Sequence, residues 1–411
     1  MSNIVPATVI SGFVGAGKTS LLKEILAARE GTRVAVITSD LGEGEAFSGL
    51  AESNTKDGSI LCKSREHLAL ELRKVGRARA WDHLMVESTG WSEPIAVAET
   101  FVTSDGGTPV SRYTKIDTAI TVVDASRFLA DYHSPDTMRD RGIAASENDV
   151  RSVVDVLVAQ VELADVLVLN KTDLADAATL DGLTALLKKL NPRATVVRAV
   201  HGKAPLEAVK DTGKFHFEDA KDTVTAARMV ELPAGAPEHG YSSLGYRRFR
   251  PFHPERFEAL VGSGLTGVLR SKGIYWLAHK NDTAGEWSQS GAVLHRGTAG
   301  AFWAATPEDQ WEVGETRKAK IKSVWSEPYG DRRQELAFVL KDVDAADFEK
   351  RLDACLLTDE EMALGPDGWK AFASAEPAGE HAEHDHEHHE HTHDEATPFK
   401  GHSPEGGIHM N

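Results

Sequence analysis

Residues 12–19 read Gly-Phe-Val-Gly-Ala-Gly-Lys-Thr, a G-x-x-x-x-G-K-[ST] pattern, and nothing else in the chain limits its fold so tightly. The apolar run 7–10 precedes it and an amphipathic stretch over 19–29 follows. Strand, glycine-rich loop and helix in that order gather backbone N–H groups and a positive helix terminus around phosphate oxygens. Gly12, Gly15, Ala16, Gly17, Lys18, Thr19 and Ser20 are the candidate nucleotide-binding residues of this loop. Lys18 is expected to reach the β- and γ-phosphates, and the Thr19 hydroxyl to ligate Mg2+. A chance glycine-rich turn would not explain the strand and helix on either side.

The rest of the first half repeats the alternation. Runs 7–10, 33–38, 83–86, 117–123, 166–169 and 195–200 read as buried strands, with helices near 19–29, 64–75, 94–101, 148–163 and 180–190. Strands so rich in Val, Ile and Leu fit a mostly parallel α/β sheet with helices on both faces. The pattern stops near residue 215. Residues 1–215 are therefore expected to form a P-loop NTPase domain, and 216–240, with Pro233, Gly235 and Pro237, a linker. Residues 241–374 read as a smaller α+β domain, with strands at 242–249, 273–279, 301–305 and 335–340 and helices at 254–260 and 345–356.

Two further motifs follow predicted strands. Asn170-Lys171-Thr172-Asp173 has the N-K-x-D form that reads guanine. The Asp173 carboxylate accepts from the base N1–H and 2-amino group, a donor pair adenine lacks. Asn170 braces base and loop, and the Lys171 stem covers the ring. Glu87-Ser88-Thr89-Gly90 occupies the place of an acidic metal-binding and switch element. Glu87 is expected to hold Mg2+ through water, and the Gly90 amide to sense the γ-phosphate. Lys18, Thr19, Glu87 and Gly90 are thus the candidate catalytic set. Neither an arginine finger nor a residue orienting the attacking water is evident, so intrinsic GTP turnover is expected to be slow.

The formal charge is −17, but nine acids against one lysine in residues 376–411 leave −8 there and −9 for the rest. No basic stripe marks a nucleic-acid partner. No stretch has the length of apolar residues needed to span a bilayer, and the N-terminus lacks a signal-like core, so a cytoplasmic location is expected. Two cysteines, Cys62 and Cys355, exclude a disulfide framework. Cys355 sits in an apolar helical pattern and reads as core.

Residues 375–411 read as a disordered tail in which histidines alternate with acids. His384, His386, His388, His389, His391 and His393 form its dense part. Imidazoles and carboxylates suit zinc, nickel, cobalt and iron(II), and a flexible tract offers several ligand sets, as capture and exchange require. A merely solubilising tail would need the acids but not the histidines.

Taken together, SGFVGAGKTSLL, VESTGWSEP, VVDAS, VVDVLVAQVELADVLVLNKTD and HGKAPLEAV resemble the CobW-like GTPases. In the second half FRPFHPERFEAL, GVLRSKGIYWLAH, WSQSG, GDRRQELAFVL and LDACLLTDEEM extend the resemblance, toward the branch associated with zinc limitation. It implies the P-loop NTPase fold of that family and a GTP-hydrolysing metallochaperone that delivers zinc to a client metalloprotein. Nitrile hydratase activators in the same family imply iron(II) or cobalt(II) as the alternative cargo. A homodimer would also suit the resemblance. A regulatory G-protein switch without cargo is the contrasting reading. One departure is plain. The family carries C-x-C-C where this chain has Ser59-Ile60-Leu61-Cys62, so a three-thiolate site is impossible within one chain. Asp40 and Glu43, in the switch segment the resemblance identifies, are the co-ligands it offers to Cys62, with His67 as a further candidate. The plainer reading makes Cys62 a small buried hydrophobe.

Overall fold

A computed structural model describes residues 4–28, 31–39, 59–62, 65–102, 108–144, 149–217 and 237–375. The chain divides into two units, Met1–Val224 with Ser290–Val293, and Thr225–Gln289 with Leu294–Asn411.

In the first unit seven strands form one sheet in the order β3-β2-β4-β1-β5-β6-β7: β1 Val5–Gly12, β2 Val34–Ser39, β3 Ser59–Cys62, β4 His83–Glu87, β5 Thr114–Asp124, β6 Val166–Asn170 and β7 Thr195–Arg198. Every neighbouring pair is parallel. The alternation along β2 shows why the sheet is covered twice. Ala35 and Ile37 enter one cluster with Leu68, Leu72 and Val75, while Val36 enters another with Leu21, Leu22 and Ile25. The covering helices are α1 Lys18–Ala27, α2 Arg65–Ala78, α3 Pro94–Val102, α4 Phe128–Tyr132, α5 Val153–Leu163, α6 Ala177–Leu190 and α7 Leu206–Val209. Strand β3 was not among the expected strands, and β7 is a half-covered edge rather than a buried run. Helix α5 begins at Val153, later than expected, because Ser152 caps it by accepting from Asp155 N.

The second unit has the five-stranded sheet β11-β10-β9-β12-β8, from β8 Tyr241–Arg248, β9 Val268–Trp276, β10 Thr283–Ser290, β11 Val293–Ala301 and β12 Gln334–Lys341. Strand β12 runs antiparallel to both β8 and β9. Helices α8 Pro254–Gly262 and α10 Ala345–Asp353 contribute Phe257, Phe348 and Leu352 to a core with Phe338 and Trp287. Cys355 is buried in that core, and burial raises its thiol to about 11. Helices α9 Glu315–Lys322, α11 Asp359–Ala363 and α12 Gly365–Trp369 are the other α-helices among its described residues. The expected strand at 301–305 is corrected: β11 ends at Ala301 and Trp303–Ala305 is a 3-10 turn. Asp331 accepts from the N–H groups of Trp303 and Ala304 at 3.0 and 2.9 Å, leaving them unavailable to a ladder.

Glu361 ties α11 down. It closes a capping box with Thr358 and takes two bonds from Arg256, at 2.9 and 2.6 Å. The Arg256 bonds hold its carboxyl down at about 2 despite some burial. A carboxyl depressed by folding stabilises above its unfolded value and loses that contribution as pH falls toward 2. Glu361→Gln is expected to cost about 1–3 kcal/mol at pH 7. Thermal melts of both proteins should converge as pH is lowered toward 2; a deficit independent of pH would refute the assignment.

Candidate functional site

The chemistry-bearing residues gather at the carboxyl ends of β1, β4, β5 and β6, where open α/β sheets place their ligands. The register pairs Ile10 with Glu87 and Asp124 with Asn170, so the ends of these strands lie level. After β1 the chain turns through Gly12, Gly15 and Gly17, with φ of 140°, 75° and 105°. Gly17 is held to its residue type twice. Its φ is left-handed, and a Cβ there would lie 2.3 Å from Asn170 Nδ2. Ala16 is buried in the loop, and Ser20 is exposed in the first turn of α1. The Lys18 ammonium folds back over the loop and donates to the carbonyls of Gly12 and Phe13 at 3.0 and 3.2 Å.

Thr19 and Glu87 meet directly. The Thr19 hydroxyl donates to Glu87 Oε1 at 2.7 Å, and Glu87 is 7% exposed. A hydroxyl and a carboxylate oxygen at this spacing are the hard donors Mg2+ takes. Beyond Glu87 the chain turns back against the loop: a Cβ on Gly90 would lie 2.7 Å from Val14 N. The Ser88 hydroxyl shares a 3.0 Å bond with that of Ser11.

At the end of β6, Asn170 is 2% exposed and makes two bonds. Its Nδ2 donates to the Ala16 carbonyl at 2.9 Å, and its Oδ1 accepts from Gly202 N at 3.0 Å. One amide thus joins the loop after β1 to the turn after β7. Lys171 takes left-handed φ of 58° and donates to Asp124 Oδ2 at 2.7 Å. Burial resists ionisation of Asp124, but bonds from Lys171 and Ser126 prevail and its carboxyl lies below the usual range. Asp173 is exposed in the 3-10 turn Thr172–Leu174, which Thr172 pins by donating its hydroxyl to Ala199 O at 3.0 Å. Leu174 and Val200 are exposed apolar side chains beside it in sequence and strand order.

Cys62 ends β3, where its backbone pairs with Ser39. Asp40 and Glu43 lie outside the described residues, as do the 375–411 tail beyond Ala375 and its His384, His386, His388, His389, His391 and His393. His67 stands on α2 with Nε2 3.6 Å from Glu71 Oε1. Among the described residues no three His, Cys, Asp or Glu side chains group as a metal site. No described helix is long and apolar enough to cross a membrane.

Asp124 and Gly202 are not among the site residues expected from the sequence. Asp124 is the acid at the end of an otherwise apolar strand, and Gly202 follows His201 in a left-handed pair with φ of 53° and 81°. Those polar and glycine interruptions were the available signal.

The family model described as the CobW/HypB/UreG nucleotide-binding domain matches residues 6–198, and that described as the cobalamin synthesis protein cobW C-terminal domain matches 241–356. A zinc-regulated GTPase metalloprotein activator of Dictyostelium discoideum is 36% identical over 90% of this chain and 83% of its own. A zinc chaperone of Mycobacterium tuberculosis is 27% identical over 84% of this chain and 83% of its own. Among solved structures, the Zn(II)-bound YjiA GTPase from E. coli is 19% identical, with a TM-score of 0.38 over 86% of this chain and 99% of that one.

Proposed function

The chain belongs to the CobW family of P-loop GTPases, and from that premise we propose that it uses GTP to deliver zinc to a client metalloprotein in the cytoplasm. The observation that carries the coupling of metal to nucleotide is the register of three strands. Cys62 pairs with Ser39, and Thr38, one residue earlier, pairs with Glu87. Adjacent strands lie about 4.8 Å apart, so the Cys62 backbone stands roughly 10 Å from that of Glu87. A metal held by Cys62, with Asp40 and Glu43 as co-ligands, would border the switch.

In this reading Gly12, Gly15, Ala16, Gly17 and Ser20 wrap the phosphates, and Lys18 releases its two carbonyls for the β- and γ-phosphate oxygens. Thr19 and Glu87 hold Mg2+, which when bound neutralises charge developing on those oxygens. Gly90 reports the γ-phosphate through its amide. Asn170, Lys171 and Asp173 hold guanine. His384, His386, His388, His389, His391 and His393 capture zinc for the inner site. Iron(II) or cobalt(II) insertion into nitrile hydratase is the second reading, favoured by Ser59 and Leu61 where two thiolates would select zinc. A second copy of the chain could complete the ligand set as a homodimer.

The test is GTP turnover by metal-free protein titrated with zinc, iron(II) and cobalt(II), beside Cys62→Ala. Zinc is expected to change the wild-type rate and to leave the variant's unchanged. A response to iron(II) or cobalt(II) alone would transfer the cargo to the second reading. Indifference to all three metals would reject coupling through Cys62.

A further inference from the structure

The turn after β4 is gripped by two side chains that the cycle above does not use. Gln160 on α5 is 1% exposed, and its Nε2 donates to the Gly90 carbonyl at 3.0 Å and, in a longer bond, to that of Ser92 at 3.4 Å. Arg151, just ahead of the helix, donates Nη1 to the Trp91 carbonyl and to Glu93 Oε1, both at 3.2 Å. The carbonyls of Gly90, Trp91 and Ser92, consecutive in the chain, are therefore all taken by these two side chains. The Gly90 N–H belongs to the Thr89–Gly90 peptide, and that peptide is fixed as well. Thr89 O accepts from the backbone N–H of Ser92 at 3.3 Å and from its hydroxyl at 3.0 Å.

Both grips are anchored. The backbone carbonyl of Gln160 accepts from Thr121 Oγ1 on β5 at 2.6 Å. The Arg151 guanidinium is forked onto Asp149, at 2.9 and 2.8 Å. A glutamine with two amide donors can hold two carbonyls at a fixed spacing, and a guanidinium can serve a carbonyl and a carboxylate at once. Neither arrangement is needed to fill the core, which an apolar side chain would do at less cost in desolvation.

We propose that Gln160 and Arg151 are the positioning residues of the GTPase switch. They set the Gly90 amide for the γ-phosphate and carry movement of its turn into the segment 136–138, which pairs with 151–153. The proposal rests on the GTPase reading of the site. Its outward path is physical. The Arg151 carbonyl accepts from Met138 N at 2.9 Å, Asp136 O accepts from Val153 N at 2.9 Å, and Thr137 bridges to Ser152. A displacement of the Trp91 carbonyl that draws Arg151 with it must draw this segment too. Val150, 77% exposed beside Arg151, brings the displacement to the surface.

The test uses the full chain with Gln160→Met, which keeps the volume and loses both donors, and Arg151→Ala beside Arg151→Lys. Gln160→Met is expected to lower kcat by about 10- to 100-fold, while GDP affinity and KM stay within about threefold. Arg151→Lys should recover part of the loss in Arg151→Ala. In wild type, amide exchange over 136–138 and 151–153 should differ between GDP and a non-hydrolysable GTP analogue, and in Gln160→Met that difference should vanish. A wild-type kcat in Gln160→Met overturns the proposal. So does a loss of kcat, GDP affinity and melting temperature together, the outcome of a merely structural role. An exchange difference unchanged in Gln160→Met overturns the path to the surface. A wild type without GTP turnover would remove the underlying reading instead.

Discussion

Lys18→Ala is expected to lower GTP turnover by about 10²- to 10³-fold, the scale seen when one positioned donor to a developing anion is removed. The fold should survive it. Lys18 is half-buried, and the bonds it gives up include two to loop carbonyls, at 3.0 and 3.2 Å. Exchanging them for water costs about 1 kcal/mol each. The melting temperature without nucleotide should therefore fall by about 4–8 °C, with the cooperative transition kept. With nucleotide the balance changes, because charged phosphate oxygens are better acceptors for an ammonium than peptide carbonyls. The added stability that nucleotide confers on the wild type should shrink in the variant. Single-turnover rates and melts with and without GTP check both halves. Full turnover in Lys18→Ala would remove the loop after β1 from the site.

The parts of this site that were legible in the sequence are those where a local rule and a local contact coincide. Gly17 must be glycine for its own φ, and the loop it belongs to is contiguous, so the pattern at 12–19 carries its own geometry. Glu87 and Asn170 could be placed because each ends an apolar run that can only be a covered strand. What escaped depends on distant partners. Strand β3 is four residues long and forms beside β2 by register, with no alternation long enough to announce it. Strand β11 has a mostly exposed face, so it lacks the apolar period that marks a strand. The opposite error arose at 301–305, where an apolar run suggested a strand but the Asp331 carboxylate claims the N–H groups. Gln160 is the instructive case. A buried amide in the apolar helix sequence VVDVLVAQVEL is costly without partners, and that cost was readable, but the carbonyls it serves lie some seventy residues away.

Asp173→Asn should exchange the base that the site accepts. The turn carrying Asp173 is fixed from outside the side chain: Thr172 N and its hydroxyl both donate to Ala199 O, at 3.3 and 3.0 Å, and Ala199 N returns to Leu169 O at 2.8 Å. The carboxylate itself is exposed, so the substitution disturbs little but the chemistry at its tip. Guanine offers two donors on that edge, N1–H and the 2-amino group. A carboxylate accepts both; an asparagine amide accepts one and sets its own NH2 against the other. Leaving such a pair unmade costs at least about 10²-fold in affinity for GTP. Xanthine has a carbonyl where guanine has the 2-amino group, and the asparagine NH2 can donate to it while the amide oxygen accepts N1–H. Competition binding of GTP and xanthosine triphosphate to both proteins is the measurement. A reversal of preference ties guanine recognition to Asp173. GTP binding as tight as wild type would move base recognition elsewhere on the chain. Loss of both nucleotides with a lowered melting temperature would mean the 172–174 turn, rather than the carboxylate, had been carrying the pocket.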